Sequence, residues 1–167
     1  TEKSLELFES IEWWMKNEHN LDINKSTIGL SPSVVSTLCM TIQSFSNVGD
    51  SIVTFSPVYG PFFSSVKSHK RNLVDLPLII NNGKFQIPFE HLESILKKND
   101  VKLLLLCNPH NPGGRVWSKD ELLKIVRLCI DNNVIIFSDE IHSDIVYKPN
   151  VHTVSYTHLR AHETYPH

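Results

Sequence analysis

The sequence predicts an α/β fold, a three-layer α/β/α arrangement around a mostly parallel sheet, on three observations. Two aliphatic runs, Leu103-Leu104-Leu105-Leu106 and Val134-Ile135-Ile136-Phe137, carry no polar interruption, which suits strands covered on both faces. Between them, Lys119 to Asn132 has helical periodicity and opens on Ser118 with Glu121 three residues later, a capping box. Strand and helix signals then alternate along most of the chain, and that order demands crossover connections and parallel pairing.

The elements follow in order. Leu5 to Glu18 places Leu5, Phe8, Ile11, Trp14 and Met15 on one helical face and Glu6, Glu9 and Glu12 elsewhere, predicting an amphipathic helix. A polar loop with Asp22, Asn24 and Lys25 leads to Ile28-Gly29-Leu30-Ser31-Pro32-Ser33 and a periodic apolar segment, Val34 to Phe45. Ser31 or Ser33 caps that helix, with Pro32 tolerated at its start. Strands are expected at Ser51 to Phe55, Asn72 to Leu76, Val101 to Cys107 and Val134 to Phe137, with helices at Val58 to Lys67 and Phe89 to Lys98. Open parallel sheets collect ligands beyond the carboxyl ends of their strands.

Composition bounds the function. The 167 residues, 41% hydrophobic and 20% charged, are ordinary for one globular domain with a real core. A net charge of -2 provides no basic footprint, so nucleic acid and anionic lipid are not expected partners. No apolar stretch approaches the ~20 residues that span a bilayer, and no membrane role is expected. Cys39, Cys107 and Cys129 are odd in number and set among apolar neighbours, which predicts buried thiols in a reducing compartment, with cytoplasm as the default. The start, Thr1-Glu2-Lys3-Ser4-Leu5, shows no signal or transit character and reads as a chain entered part-way.

Two segments directly follow aliphatic strands: Asn108-Pro109-His110-Asn111-Pro112-Gly113-Gly114-Arg115 and Ser138-Asp139-Glu140-Ile141-His142. They bring an amide and a carboxylate to neighbouring strand ends. Taken singly, each residue has a plain reading. Asn111-Pro112-Gly113-Gly114 is a turn, Asp139 a strand-end acid, and His142 a half-buried histidine satisfied by backbone. Tyr59 beside Phe62 and Phe63 is core, and Ser33-Val34-Val35 is a capped helix start. Cys107 reads as a buried thiol rather than a nucleophile, and Arg115 as a solvated loop arginine.

Taken together, Ser31-Pro32-Ser33-Val34-Val35, Ser56-Pro57-Val58-Tyr59-Gly60-Pro61-Phe62-Phe63, Leu106 to Trp117 and Ser138 to His142 resemble the large domain of fold-type I pyridoxal phosphate enzymes, in the aminotransferase class I/II superfamily. Within it they most resemble the cystathionine β-lyase branch. The resemblance spans residues 5 to 150. It implies pyridoxal 5'-phosphate as cofactor, with Asp139 keeping the pyridine nitrogen protonated and Asn111 donating to the phenolate oxygen. By the same resemblance Tyr59 stacks on the ring, and Ser33, Val34 and Val35 form part of the phosphate cup. His142, where many aminotransferases carry Tyr, supports the cofactor oxygen or the Asn111 contact.

The activity so implied is carbon-sulfur β-lysis of cystathionine or cysteine conjugates to a thiol, pyruvate and ammonia, with aminotransfer as the alternative. The expected partners are a small amino-acid substrate and a second copy of the chain in a homodimer. The family's Schiff-base lysine lies further along its pattern than Lys148, the only lysine after Asp139, so no catalytic residue is assigned here. Residues 1–152 are expected to form part of the cofactor-binding large domain, and 153–167 an atypical tail not native to the family. The 167 residues by themselves are accordingly expected to be inactive, at most a weak cofactor-binding module, and prone to aggregate through uncovered faces. His158 and His162 are four apart, but two histidines make a poor zinc site and no metal is expected. A flavodoxin-like nucleotide binder is disfavoured for want of a Gly-rich first βα turn.

Overall fold

A computed structural model of the chain describes residues 2–98 and 100–154. The histidines at 158 and 162 lie outside the described residues. Pro32–His152 form one compact unit, and the described residues outside it belong to a second.

The smaller unit is built on helix α1, Glu2–His19. It ends where Asn20 turns to φ 50°, and the Leu21 N–H reaches back to the Met15 carbonyl at 3.0 Å. A 3-10 turn at Lys25–Thr27 follows, capped by the Asn24 side chain. Of the predicted apolar stripe, Phe8, Ile11 and Met15 are half-buried, whereas Leu5 and Trp14 remain exposed.

In the larger unit, β1 (Ser51–Ser56), β2 (Asn72–Pro77), β5 (Val101–Cys107) and β6 (Ile135–Asp139) form one parallel sheet in the order β2-β1-β5-β6. Successive residues of β5 point to opposite faces. Leu103, Leu105 and Cys107 pack with Leu38 and Ile42 of α2 (Val34–Phe45) and Phe62 and Val66 of α3 (Gly60–Ser68). Leu104 and Leu106 pack on the other side with Leu92 and Leu96 of α4 (Phe89–Lys98) and Leu122 and Ile125 of α5 (Lys119–Asp131). This is the predicted three-layer α/β/α order. Each fully buried leucine contributes about 1.5–3 kcal/mol of transfer free energy, so the Leu103–Leu106 run of β5 anchors both layers. No helix among the described residues is long and apolar enough to cross a membrane.

Three details differ from expectation. Helix α3 starts at Gly60 rather than Val58, with Pro61 in its first turn, while Tyr59 stays outside at φ −48°, ψ 121°. The last strand is Ile135–Asp139 rather than Val134–Phe137. Asn133 takes a left-handed φ of 56° and the Val134 N–H closes on the Cys129 carbonyl at 2.8 Å, so Val134 completes the helix-ending turn. The shift makes Asp139 the strand's final residue, opposite Cys107. Unforeseen is an antiparallel hairpin, β3 (Ile79–Asn81) with β4 (Lys84–Gln86), turning on Asn82 and Gly83 at φ 50° and 72°.

Candidate functional site

The strand order reverses direction between β1 and β5: the chain leaves β1 for β2 on one side and returns to β5 on the other. A crevice forms at such a switch point, because the loops leaving the two strands diverge. A pocket of about 320 Å³ lies here. Its walls come from the start of α2 (Ser33, Val34, Val35), the loop after β1 (Tyr59), the loop after β5 (Asn111) and the end of β6 (Asp139, His142). All seven residues singled out in the sequence line this one pocket, joined by Cys107 and Ile141.

Each wall has a local cause. Ser33 caps α2, its Oγ accepting the Ser36 N–H at 3.1 Å. One of the helix's first-turn donors is thereby satisfied, and the Val34 and Val35 amides remain orphans by their position at the N-terminus. That end of the helix favours negative charge. Tyr59 is held at the α3 start by the Phe62 N–H, which donates to its carbonyl at 3.0 Å, and its ring is partly exposed.

Asp139 is 6% exposed. Its Oδ1 accepts the Ile141 N–H at 3.1 Å, and its backbone carbonyl accepts the Asn108 N–H at 2.9 Å, locking the two strand ends together. Burial raises its pKa above the ordinary carboxylate value; the Ile141 N–H and nearby His142 oppose that rise, and Glu140 adds to it. Glu140 points away, accepting from Ser138 Oγ at 2.8 Å and pairing with His152 Nε2 at 3.0 Å. Among the described residues no salt bridge engages Asp139. A buried carboxylate that faces a pocket with no salt bridge of its own suits a ligand bearing a cationic or N–H group.

Asn111 rides on a short loop closed by the His110 N–H donating to the Arg115 carbonyl at 2.7 Å. The Asn111 N–H meets Cys107 Sγ at 3.4 Å. Cys107 itself is buried, and its pKa is pushed up to about 11, chiefly by burial. It stays a thiol at neutral pH and is no nucleophile.

Arg115 is not the solvated arginine expected from the sequence. Its Nη2 pairs with Glu121 Oε1 at 2.6 Å, its Nε donates to the Phe85 carbonyl at 3.0 Å, and its guanidinium lies 5.0 Å from the Trp117 ring centroid. Glu121 serves twice, since its other oxygen accepts the Ser118 N–H at 2.7 Å in the capping box. The arginine therefore braces the loop and its side chain is committed. A second pocket of about 340 Å³ shares Asn111 and His142 and is walled by Val116, Ile145 and Tyr147.

Three residues missed in the sequence complete the frame. His110 and Trp117 are buried behind Asn111, and Asn108, fully buried, accepts the Trp117 N–H at 3.3 Å. Their signal was the same strand-end segment; what could not be read from it was which side chains face inward.

Residues 1–164 match the family described as aminotransferase class I and II. The chain is 44% identical over 140 residues to cystathionine beta-lyase PatB of Bacillus subtilis, covering 84% of this chain and 36% of that protein. It is 31% identical over 143 residues to a probable aspartate aminotransferase of Methanocaldococcus jannaschii, covering 85% of this chain and 37% of that one. Among solved structures, cystalysin from Treponema denticola, which contains a pyridoxal 5'-phosphate cofactor, superposes with a TM-score of 0.87 at 36% identity, covering 89% of this chain and 38% of that one. The chain thus spans between a third and two fifths of the length of these relatives.

Proposed function

This chain belongs to the aminotransferase class I and II family, and from that premise we propose that the whole protein is a pyridoxal phosphate-dependent carbon-sulfur β-lyase. Its substrate would be cystathionine or a related cysteine conjugate, its products a thiol, pyruvate and ammonia. The observation that carries this reading is the buried, unpaired carboxylate of Asp139 facing the same pocket as Asn111 and the free amides that open α2.

Pyridoxal phosphate supplies an electron sink when bound. Asp139, charged, would hold a proton on the pyridine nitrogen by ion pairing. The Asn111 amide would donate to the phenolate oxygen, with His142 supporting it from the adjacent strand end. Tyr59 would cover a ring face, a contact contributing about 1 kcal/mol beyond area burial. Ser33, Val34 and Val35 would receive the phosphate at the positive end of α2. The covalent link needs a lysine that does not line this pocket: Lys148 is not among its walls. The 167 residues then hold the binding half of the site.

Aminotransfer is the second reading, favoured by the likeness to the probable aspartate aminotransferase. The full-length enzyme separates the two. Pyruvate released from cystathionine without a keto-acid acceptor supports lysis, and turnover only when a keto acid is added supports transamination instead. A homodimer in the cytoplasm, and a division into a large-domain part at 1–152 and an atypical tail at 153–167, belong to the same proposal.

A further inference from the structure

The two walls of the crevice belong to different strands, so the site needs a strut that fixes their separation. His110 is that strut. Its Nε2 lies 2.7 Å from the carbonyl oxygen of Pro57, 53 residues away in sequence. Pro57 stands two residues before Tyr59, and His110 immediately before Asn111. A carbonyl only accepts, so Nε2 carries the proton and the tautomer is fixed.

The ring cannot easily turn away. It is 2% exposed, 5.5 Å from the Trp117 ring at an interplanar angle of 59°. Trp117 is pinned in turn, its Nε1–H donating to the Cys107 carbonyl at 2.9 Å. On the remaining side, a Cβ at Gly113 would lie 3.1 Å from His110 Cδ2 and 2.8 Å from Phe85 Cδ2, so a larger residue there would press on both rings. The other nitrogen, Nδ1, has no hydrogen-bond partner, and burial lowers the pKa of the imidazole. Burial thus favours the neutral ring, and the hydrogen bond it makes is the one from Nε2 to the Pro57 carbonyl.

We infer that His110 is a positioning residue for the pocket, its hydrogen bond to the Pro57 carbonyl setting the distance between the Tyr59 wall and the Asn111 wall. The inference rests on the cofactor reading of the pocket given above. If His110 only filled volume, an apolar side chain would replace it without effect on binding.

The test uses the full-length protein stripped of cofactor. Three variants are compared: His110→Leu removes the donor, His110→Gln keeps a donor at the reach of Nε2, and His110→Asn keeps polarity but falls short. Pyridoxal phosphate affinity is read by titration, ring orientation by visible circular dichroism of the bound group, and folding by the thermal midpoint of the apoprotein. His110→Leu and His110→Asn are expected to weaken affinity about five- to tenfold, the scale of one neutral hydrogen bond, and to diminish the dichroism. His110→Gln should stay within about twofold of wild type. Equal affinity for the Gln and Asn variants overturns the inference, whether both bind normally or both are impaired. That pair decides the matter even if the Leu variant does not fold. In the wild-type apoprotein, imidazole nitrogen spectra should show His110 as the Nε2–H tautomer, and the opposite tautomer also overturns it. Failure of the wild type itself to bind pyridoxal phosphate would remove the cofactor reading, a result distinct from normal binding by every variant.

Discussion

The loop after β5 and the segment after β6 flank the same pocket, yet they are built in opposite ways. The first is fastened by buried side chains: Trp117 reaches the Cys107 carbonyl, Arg115 reaches Glu121 and Phe85, and Gly113 sits against His110 and Phe85. The second is held by short polar contacts at its own strand end, the Asn108 N–H to the Asp139 carbonyl, the Ile141 N–H to Oδ1 and Ser138 Oγ to Glu140, while Ile141 itself is 63% exposed. One wall is made stiff with its charge paired, Arg115 against Glu121. The other stations a carboxylate where water is scarce and gives it no salt bridge among the described residues, a condition that favours a bound cation.

If that contrast holds, changes to the first wall should act on stability and changes to the second on binding. The largest effect is expected from Trp117→Ala. Trp117 is fully buried, and its truncation should destabilise the full-length protein by about 3–5 kcal/mol in chemical denaturation; a loss under about 1 kcal/mol would show that the loop is not anchored there. Next comes Gly113→Ala, which drives a methyl group into Phe85 and His110 and should cost about 1–3 kcal/mol. Phe85→Leu in the same background should recover part of it.

The smallest stability effect, and the opposite in sign, is expected from Asp139→Asn. The native pKa of Asp139 is raised by burial, so the folded state binds its proton more tightly than the unfolded chain. The group's contribution is then most favourable in acid and declines as pH rises from the ordinary carboxylate value towards the native one. Asp139→Asn should therefore stabilise the apoprotein at pH 7, by less than the losses expected above, while weakening pyridoxal phosphate binding. The stability gap should close below about pH 3.9, the ordinary value for Asp. An apoprotein that is less stable as Asn at neutral pH would contradict the unpaired-carboxylate account.

Much of this arrangement was visible in the sequence. Strand β5 and helix α2 have the predicted limits because an uninterrupted aliphatic run and a Ser-capped periodic segment leave little freedom. The seven pocket residues were singled out by the resemblance of the motifs that carry them; taken singly, each had a plain structural reading. The hairpin at Ile79 to Gln86 escaped because Ile79 and Ile80 are both exposed and break the expected alternation, although Asn82-Gly83 is a strong turn signal. Arg115 escaped because its partners, Phe85 and Glu121, lie on other elements, and Glu121 already had a role in the cap. His110 escaped for the same reason, since its acceptor sits 53 residues upstream.

The register of β1 against β5 has a kinetic consequence. Ile52 pairs with Leu103 and Val53 with Leu104, so the central pairing closes a loop of some fifty residues, and such non-local contacts form slowly. The crevice does not exist until that closure is complete. A ligand that fits it has nothing to grip in the unfolded chain and cannot hasten its collapse. It acts afterwards, by lowering the free energy of the finished fold and so retarding its opening. Occupancy should lengthen the lifetime of the native protein far more than it shortens the time needed to reach it.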